Sequence, residues 1–136
     1  MIISRTYEPS KSPSTEQVTG RVWSDLIAVG GPPFRVGVVR VHLDPGARTC
    51  WHQHPLGQIL HILSGQGLVQ ERGGPVHAVR AGDTVVASPR TWHWHGASPH
   101  HTMSHLGIQQ PDPEGNDATW GDKVTDDEYL AAPTKT

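Results

Sequence analysis

Residues 46–65 read GARTCWHQHPLGQILHILSG. His52 and His54 stand two apart in an extended run. Side chains in a strand alternate between its two faces, so both imidazoles point the same way. Pro55-Leu56-Gly57 then turns the chain, and Gln58 opens the next apolar run, where its side chain can rejoin the two histidines. Residues 82–96, GDTVVASPRTWHWHG, repeat the device with His93 and His95 on one face and Trp94 on the other. Paired histidines on short, turn-bounded strands predict an all-β fold with imidazoles gathered on its inner side.

The flanking sequence agrees. Residues 34–43 read FRVGVVRVHL, in which Val39, Val41 and Leu43 share one face and Arg40 and His42 the other. Extended runs are predicted over 20–29, 49–54, 58–63, 68–71, 76–79, 84–87, 92–96 and 102–109. Asp44-Pro45-Gly46, Ser64-Gly65, Gly73-Gly74 and Ala81-Gly82-Asp83 separate them as turns. Many short strands with Gly and Pro punctuation predict a sandwich or barrel. Thr125-Asp126-Asp127-Glu128 matches a capping box and predicts one short C-terminal helix. Residues 1–19, polar and rich in Ser, Pro and Thr, are expected to form an arm or tail, with the barrel and helix over 20–136.

Composition narrows the function classes. The 136 residues carry a formal net charge of −2, with no basic stripe, so a nucleic-acid partner has no electrostatic support. No apolar run is long enough to span a bilayer, and the N-terminal MIISRTYEPSK lacks the apolar core of a signal peptide. The single cysteine, Cys50, excludes an intramolecular disulfide and fits a reducing, cytoplasmic setting. It is expected to be inert. Ten histidines, several clustered, point instead to a metal.

His52, His54, Gln58 and His93 are the expected ligands. Three neutral imidazoles and an amide oxygen suit one divalent first-row ion per chain, manganese, iron, cobalt, nickel or zinc. On an octahedral ion, four protein ligands leave two positions for water or substrate. Gln58 brings no negative charge, so the ion keeps its double charge and its strength as a Lewis acid. That favours polarising a carbonyl or hydroxyl over redox cycling. His95, inward beside His93, is expected to act as a general base near the open positions; its other reading is a further ligand or a support for one. On the last strand Met103, His105, Gly107 and Gln109 share a face, which brings His105 and Gln109 to the substrate. Val39, Val41, Leu43, Leu60 and Met103 are the expected apolar pocket wall. His42 and His61 face away from the metal, and His77, His100 and His101 lie near hairpin ends. Trp92 and Trp94 are expected to pack outside the lumen.

These residues resemble the two motifs of the cupin superfamily. Gly46, His52, His54, Gln58 and Gly65 fit every spacing of the first, with Gln58 where the family pattern has Glu. Gly82, Asp83, Pro89 and His93 fit the second, and His95 is additional. The resemblance implies a double-stranded β-helix, a jelly-roll barrel with the metal inside, assembled as a homodimer or homotetramer. In finer detail, His52 to Gln58, His93 to Gly96, Met103 to His105 and Val124 to Tyr129 are similar to a branch of small bacterial cupins. That branch includes manganese-dependent hydroxynitrile lyases of the (R)-mandelonitrile type. It implies manganese as the metal, with His95 moving a proton and His105 and Gln109 placing substrate or cyanide. Two other readings share the site: a metal-dependent dioxygenase acting on a small aromatic or alkene, and a ligand-binding cupin without catalysis.

Overall fold

The computed structural model describes residues 1–5 and 9–133. Residues 6–8, within the expected arm, and 134–136, at the end of the expected barrel-and-helix region, lie outside the described residues. The strands in chain order are β1 (Val18–Thr19), β2 (Val22–Val29), β3 (Gly37–Leu43), β4 (Arg48–Thr49), β5 (His52–Gln53), β6 (Gln58–Glu71), β7 (His77–Arg80), β8 (Thr84–Ala87), β9 (His93–Ala97), β10 (Met103–Gln109) and β11 (Thr119–Trp120), followed by helix α1 (Asp126–Tyr129). They pair antiparallel in the order β1-β4-β9-β6-β10-β3-β2, with β7 and β8 also on β6, and β5 between β9 and β11. The result is a nearly all-β, curled double sheet.

One strand makes the curl. Ser64-Gly65 was expected to end the strand begun at Gln58, yet β6 runs on through it to Glu71. Its first half pairs with β8 and β10, its second with β7 and β9. Gly65 sits at the corner with φ +78°, and a Cβ there would lie 1.9 Å from the Thr102 carbonyl oxygen. A glycine in the left-handed region bends the strand without ending its hydrogen bonding. Gln66 N–H still donates to Thr102 O at 3.1 Å, and Ala81 N–H to Gly65 O at 3.3 Å. Both halves of β6 therefore face one interior.

Val22, Leu43, Leu60, Ile62, Val69, Val79, Ala97 and Met103 fill part of that interior. A second cluster on the outside of the β9 side joins Trp51, Leu68, Val76, Trp94, Val124 and Tyr129. Trp94 is thus packed away from the lumen, and its Nε1–H donates to Gln70 Oε1 at 2.9 Å.

The residues set apart as an arm are not all free of the barrel. Lys11 exchanges backbone hydrogen bonds with Ser24, at 2.9 and 2.8 Å, and β1 pairs with β4. Lys123 Nζ donates to Thr15 O and Val18 O at 2.6 and 3.0 Å. Unpaired edges of β2 and β4 need partners, and buried Val18 anchors the stretch that supplies them.

The capping box forms as the sequence implies. Glu128 N–H donates to Thr125 Oγ1 at 3.1 Å, and Thr125 N–H to Glu128 Oε1 at 2.9 Å. Arg48, buried beneath, donates to Val124 O and Asp126 Oδ1 at 2.8 Å and lies over the Tyr129 ring. Thr125→Ala is expected to cost about 1 kcal/mol and lower the melting temperature by about 2–5 °C, read by thermal denaturation. No helix among the described residues is long and apolar enough to cross a membrane.

Candidate metal centre

His52 on β5 and His93 on β9 are direct cross-strand partners, and their rings lie 4.4 Å apart, centroid to centroid. His95 follows two residues on, facing the same way, 5.2 Å from the His52 ring. Ligand atoms of His52, His93 and His95 all lie within 4.8 Å of one another, and all three residues are buried. His54 stands beside them, its ring 5.2 Å from His52 and 5.8 Å from His93. Gln58 Oε1 lies 3.1 Å from His93 Nε2, and Gln58 Nε2 donates to Gln109 Oε1 at 3.1 Å.

The hydrogen bonds orient these rings for a cation. Nδ1 of His52, His54 and His93 lies 2.9, 2.8 and 2.9 Å from the carbonyl oxygens of Cys50, Asp117 and Thr91. A carbonyl only accepts, so each Nδ1 carries the proton. In a neutral imidazole this leaves Nε2 a bare lone pair. His93 Nε2 then faces Gln58 Oε1, acceptor against acceptor, an arrangement that a cation between them would satisfy. The Nε2 atoms of His54 and His95 are buried with no hydrogen-bond partner. Such orphaned lone pairs are costly in a dry interior. The donor set fits a divalent first-row ion, and its chemistry does not distinguish manganese from its neighbours.

Burial holds the cluster neutral. It lowers the proton affinity of His52 and His95 well below that of free histidine; the nearby His93 adds to the effect at His52, and His105 at His95. Burial does the same to His54 and His93, with the carbonyl contacts opposing it. His105 is pushed down from 6.5 to about 4, chiefly by burial. The unfolded chain therefore takes up the His105 proton first as pH falls. The stability tied to neutral His105 is complete above 6.5 and is lost as pH falls towards 4. The loss is on the order of 3 kcal/mol. Denaturant titrations of metal-free protein at pH 7 and pH 4 are expected to show it.

His105 Nε2 meets His95 Nδ1 at 3.1 Å, while the backbone N–H of His95 donates to Thr49 Oγ1 at 3.2 Å. In front of the histidines opens a cavity of about 500 Å³, bordered by His52, His54, Gln58, His95, His105 and Gln109 and by the apolar side chains of Val39 and Val41. His93 lies behind, bordering a smaller cavity of about 230 Å³ on the other side of the barrel.

Three residues expected in the pocket wall, Leu43, Leu60 and Met103, do not border the large cavity. Leu60 faces the smaller one. It is paired opposite Gly107, in line with Val39, and a Cβ on Gly107 would meet Val39, Gln58 and Gln109 at 3.2–3.5 Å. Those side chains close over the glycine and screen Leu60. Met103 is fully buried; its thioether fills the space above Gly67, where a Cβ would lie 2.8 Å from Met103 Cε. Leu43 is likewise in the core. Outside the lumen, His61 bonds Thr84 Oγ1 at 2.9 Å and His42 bonds Ser104 Oγ at 2.7 Å.

The sequence reading did not find the rest of the rim. Residues 111–121, PDPEGNDATWG, carry no strand periodicity, yet β11 pairs with β5. Trp120 stacks on His52, centroids 4.6 Å apart and planes at 27°. The Asp117 carbonyl fixes His54. From the other end of the chain, Pro13, Gln17 and Val18 complete the wall.

Comparison with known proteins agrees with the fold. A model of the cupin domain matches residues 39–104. The chain is 43% identical over 111 residues to a protein of Granulicella tundricola named (R)-mandelonitrile lyase, covering 82% of this chain and 84% of that one. Among solved structures, a cupin-like protein from Thermotoga maritima superposes with a TM-score of 0.84 at 37% identity, over 98% of this chain and 100% of that one. A polyketide cyclase from Streptomyces resistomycificus, 16% identical, shares the fold with a TM-score of 0.69 over 95% and 91% of the two chains.

Proposed function

Because the chain belongs to the cupin family, whose barrel here gathers a cluster of buried histidines that could hold a metal ion, we propose that it is a metal-dependent lyase of the hydroxynitrile type, cleaving or forming cyanohydrins. The observation that carries the reading is the His95–His105 pair, bonded at 3.1 Å at the edge of the histidine cluster and open to the cavity. The similarity to the Granulicella protein supports the same chemistry.

His52, His54, Gln58 and His93 would hold the ion, manganese in this reading, one per chain. A bound divalent ion supplies Lewis acidity at the hydroxyl or carbonyl oxygen of the substrate. The chain supplies the rest. With the proton on His95 Nδ1 donating to His105 Nε2, His95 Nε2 keeps a lone pair, buried and unpartnered in a residue that borders the cavity, and takes the hydroxyl proton of a substrate bound against it. The carbon–cyanide bond breaks, its electron pair leaves with cyanide, and the carbonyl forms. The proton on His95 then passes to cyanide, so one cyanohydrin yields one aldehyde and one hydrogen cyanide. His105 holds the imidazolium that forms in between by accepting its hydrogen bond. Val39 and Val41 pack the organic group, and Gln109, fixed by Gln58 at 3.1 Å, orients the nitrile end. Neutral Gln58 leaves the charge of the ion uncompensated, which favours oxygen polarisation over redox chemistry.

The test is mandelonitrile cleavage by manganese-loaded protein under strict anaerobiosis. Benzaldehyde release at the aerobic rate is expected. Cleavage that requires oxygen, or bound metal with no cleavage, rejects the lyase reading and leaves the metal site standing.

Assembly as a homodimer or homotetramer belongs to the same reading. It is supported by an apolar row across the outer sheet face, where Ala28, Val38, Ile108, Ile59 and Val86 are successive cross-strand neighbours. Val86 is 72% exposed and Ile59 41%, more than an unpartnered sheet ordinarily shows to water. Light scattering is expected to give a multiple of the 14.8 kDa chain mass.

A further inference from the structure

We propose that Trp120 is a specificity-determining residue, the platform on which the cavity holds a planar aromatic substituent of its substrate; this rests on the cyanohydrin reading above. Of the five tryptophans in the chain, Trp120 alone borders the large cavity. Trp51 and Trp94 are buried in the outer cluster, with Trp92 packed against it, and Trp23 lies by His42 on the outer face of β2 and β3.

The position of the indole is built by backbone pairing. Trp120 and His52 are opposite residues of the β11–β5 ladder, so both side chains emerge on one face. Gly121 N–H donates to Trp51 O at 2.7 Å and closes the ladder behind it. A Cβ at Gly121 would lie 2.8 Å from the Trp92 ring, so this close approach requires glycine. One face of the indole is covered by His52, at 4.6 Å. The residue nevertheless keeps 39% of its surface open, unusual for a large aromatic in so fixed a place. Within the same cavity Val39 and Val41 form an aliphatic wall. An aromatic ring entering towards His95 thus meets branched aliphatic groups and an indole fixed on a candidate ligand. Aromatic groups prefer stacked or edge-to-face contact with such a surface, worth more than the area it covers. An aliphatic substituent gains only the area.

The experiment compares wild type, Trp120→Phe and Trp120→Leu as manganese-loaded proteins. Metal content is measured first, then the binding of benzaldehyde and of pivaldehyde by calorimetry, and last the ratio of kcat/KM for mandelonitrile to that for an aliphatic cyanohydrin. Trp120→Leu is expected to keep its metal, to weaken benzaldehyde binding about fivefold relative to pivaldehyde, and to lower the kcat/KM ratio alike. Trp120→Phe is expected to retain most of the preference. Equal weakening of both aldehydes, no change in either, or wild-type protein that binds neither aldehyde overturns the proposal. So does loss of metal in both variants, which would make the indole a prop for His52. If wild type binds the aldehydes with the expected preference but cleaves no cyanohydrin, the lyase reading fails while the role of Trp120 stands.

Discussion

Replacing His52 with alanine is expected to empty the metal site. His52 is 1% exposed and sits closer to the middle of the cluster than any other candidate, within 4.4–5.2 Å of the rings of His93, His54 and His95. Its Nδ1 is tied to the Cys50 carbonyl at 2.9 Å, so its Nε2 lone pair is aimed without further cost in side-chain entropy. Alanine removes that lone pair and opens a void beneath Trp120. The remaining proposed ligands keep their places, Gln58 and His93 on their strands and His54 on the Asp117 carbonyl, so the set is left one donor short. Disturbing a group that only orients a ligand costs about 10–100-fold in affinity, and removing the ligand itself costs more. Elemental analysis after dialysis is expected to fall from about one metal per chain to a small fraction, with circular dichroism unchanged. Metal content equal to wild type would remove His52 from the ligand set. The pH 4 destabilisation tied to His105 is expected to persist in this variant, because His105, on β10, is buried by the protein itself and not by the ion.

What could be read from the sequence is what strand parity determines. The inward direction of His52, His54, His93, His95, His105 and Gln109 follows from counting residues by twos, and the turns are marked by Gly and Pro. The corner at Gly65 could not be read this way: a glycine that ends a strand and one that bends it look alike until the partners on both sides are known. Parity also put Leu60 and Met103 on the correct face, but not what stands in front of them. Gly107 lets Val39, Gln58 and Gln109 close over Leu60, and Gly67 draws Met103 into the core, both consequences of tertiary packing. Val18 and Trp120 gave no signal because two-residue strands have no period to detect, and Asp117 lies in the loop before β11. Their places depend on the unpaired edges of β4 and β5, which exist only once the barrel has closed. The 3.1 Å contact between His95 and His105 has the same origin, since β9 and β10 meet through opposite halves of β6.

That contact underlies the second large effect. His95→Ala is expected to keep the metal and lower kcat by about 10²–10⁴-fold, the range for losing a general base. The geometry also admits a competing role for His95. Ligand atoms of His95 lie within 4.8 Å of those of His52 and His93, and its buried Nε2 has no partner, so the same atom is placed either to bind the ion or to take a proton. The two roles diverge in what the other nitrogen does. A ligand imidazole is ordinarily tied by its far nitrogen to a carbonyl or carboxylate, as His52, His54 and His93 are tied to carbonyls. His95 is tied to a second imidazole that burial holds neutral, down to about 4. A neutral imidazole can accept the His95 Nδ1–H as positive charge develops, which suits a group whose protonation state changes in each turnover. His105→Ala is therefore expected to weaken catalysis less than His95→Ala, since it removes the support and leaves the base. If His95→Ala emerges without metal, the assignment reverses. His95 then joins His52 and His93 as a ligand, and the proton must be taken by another group bordering the cavity.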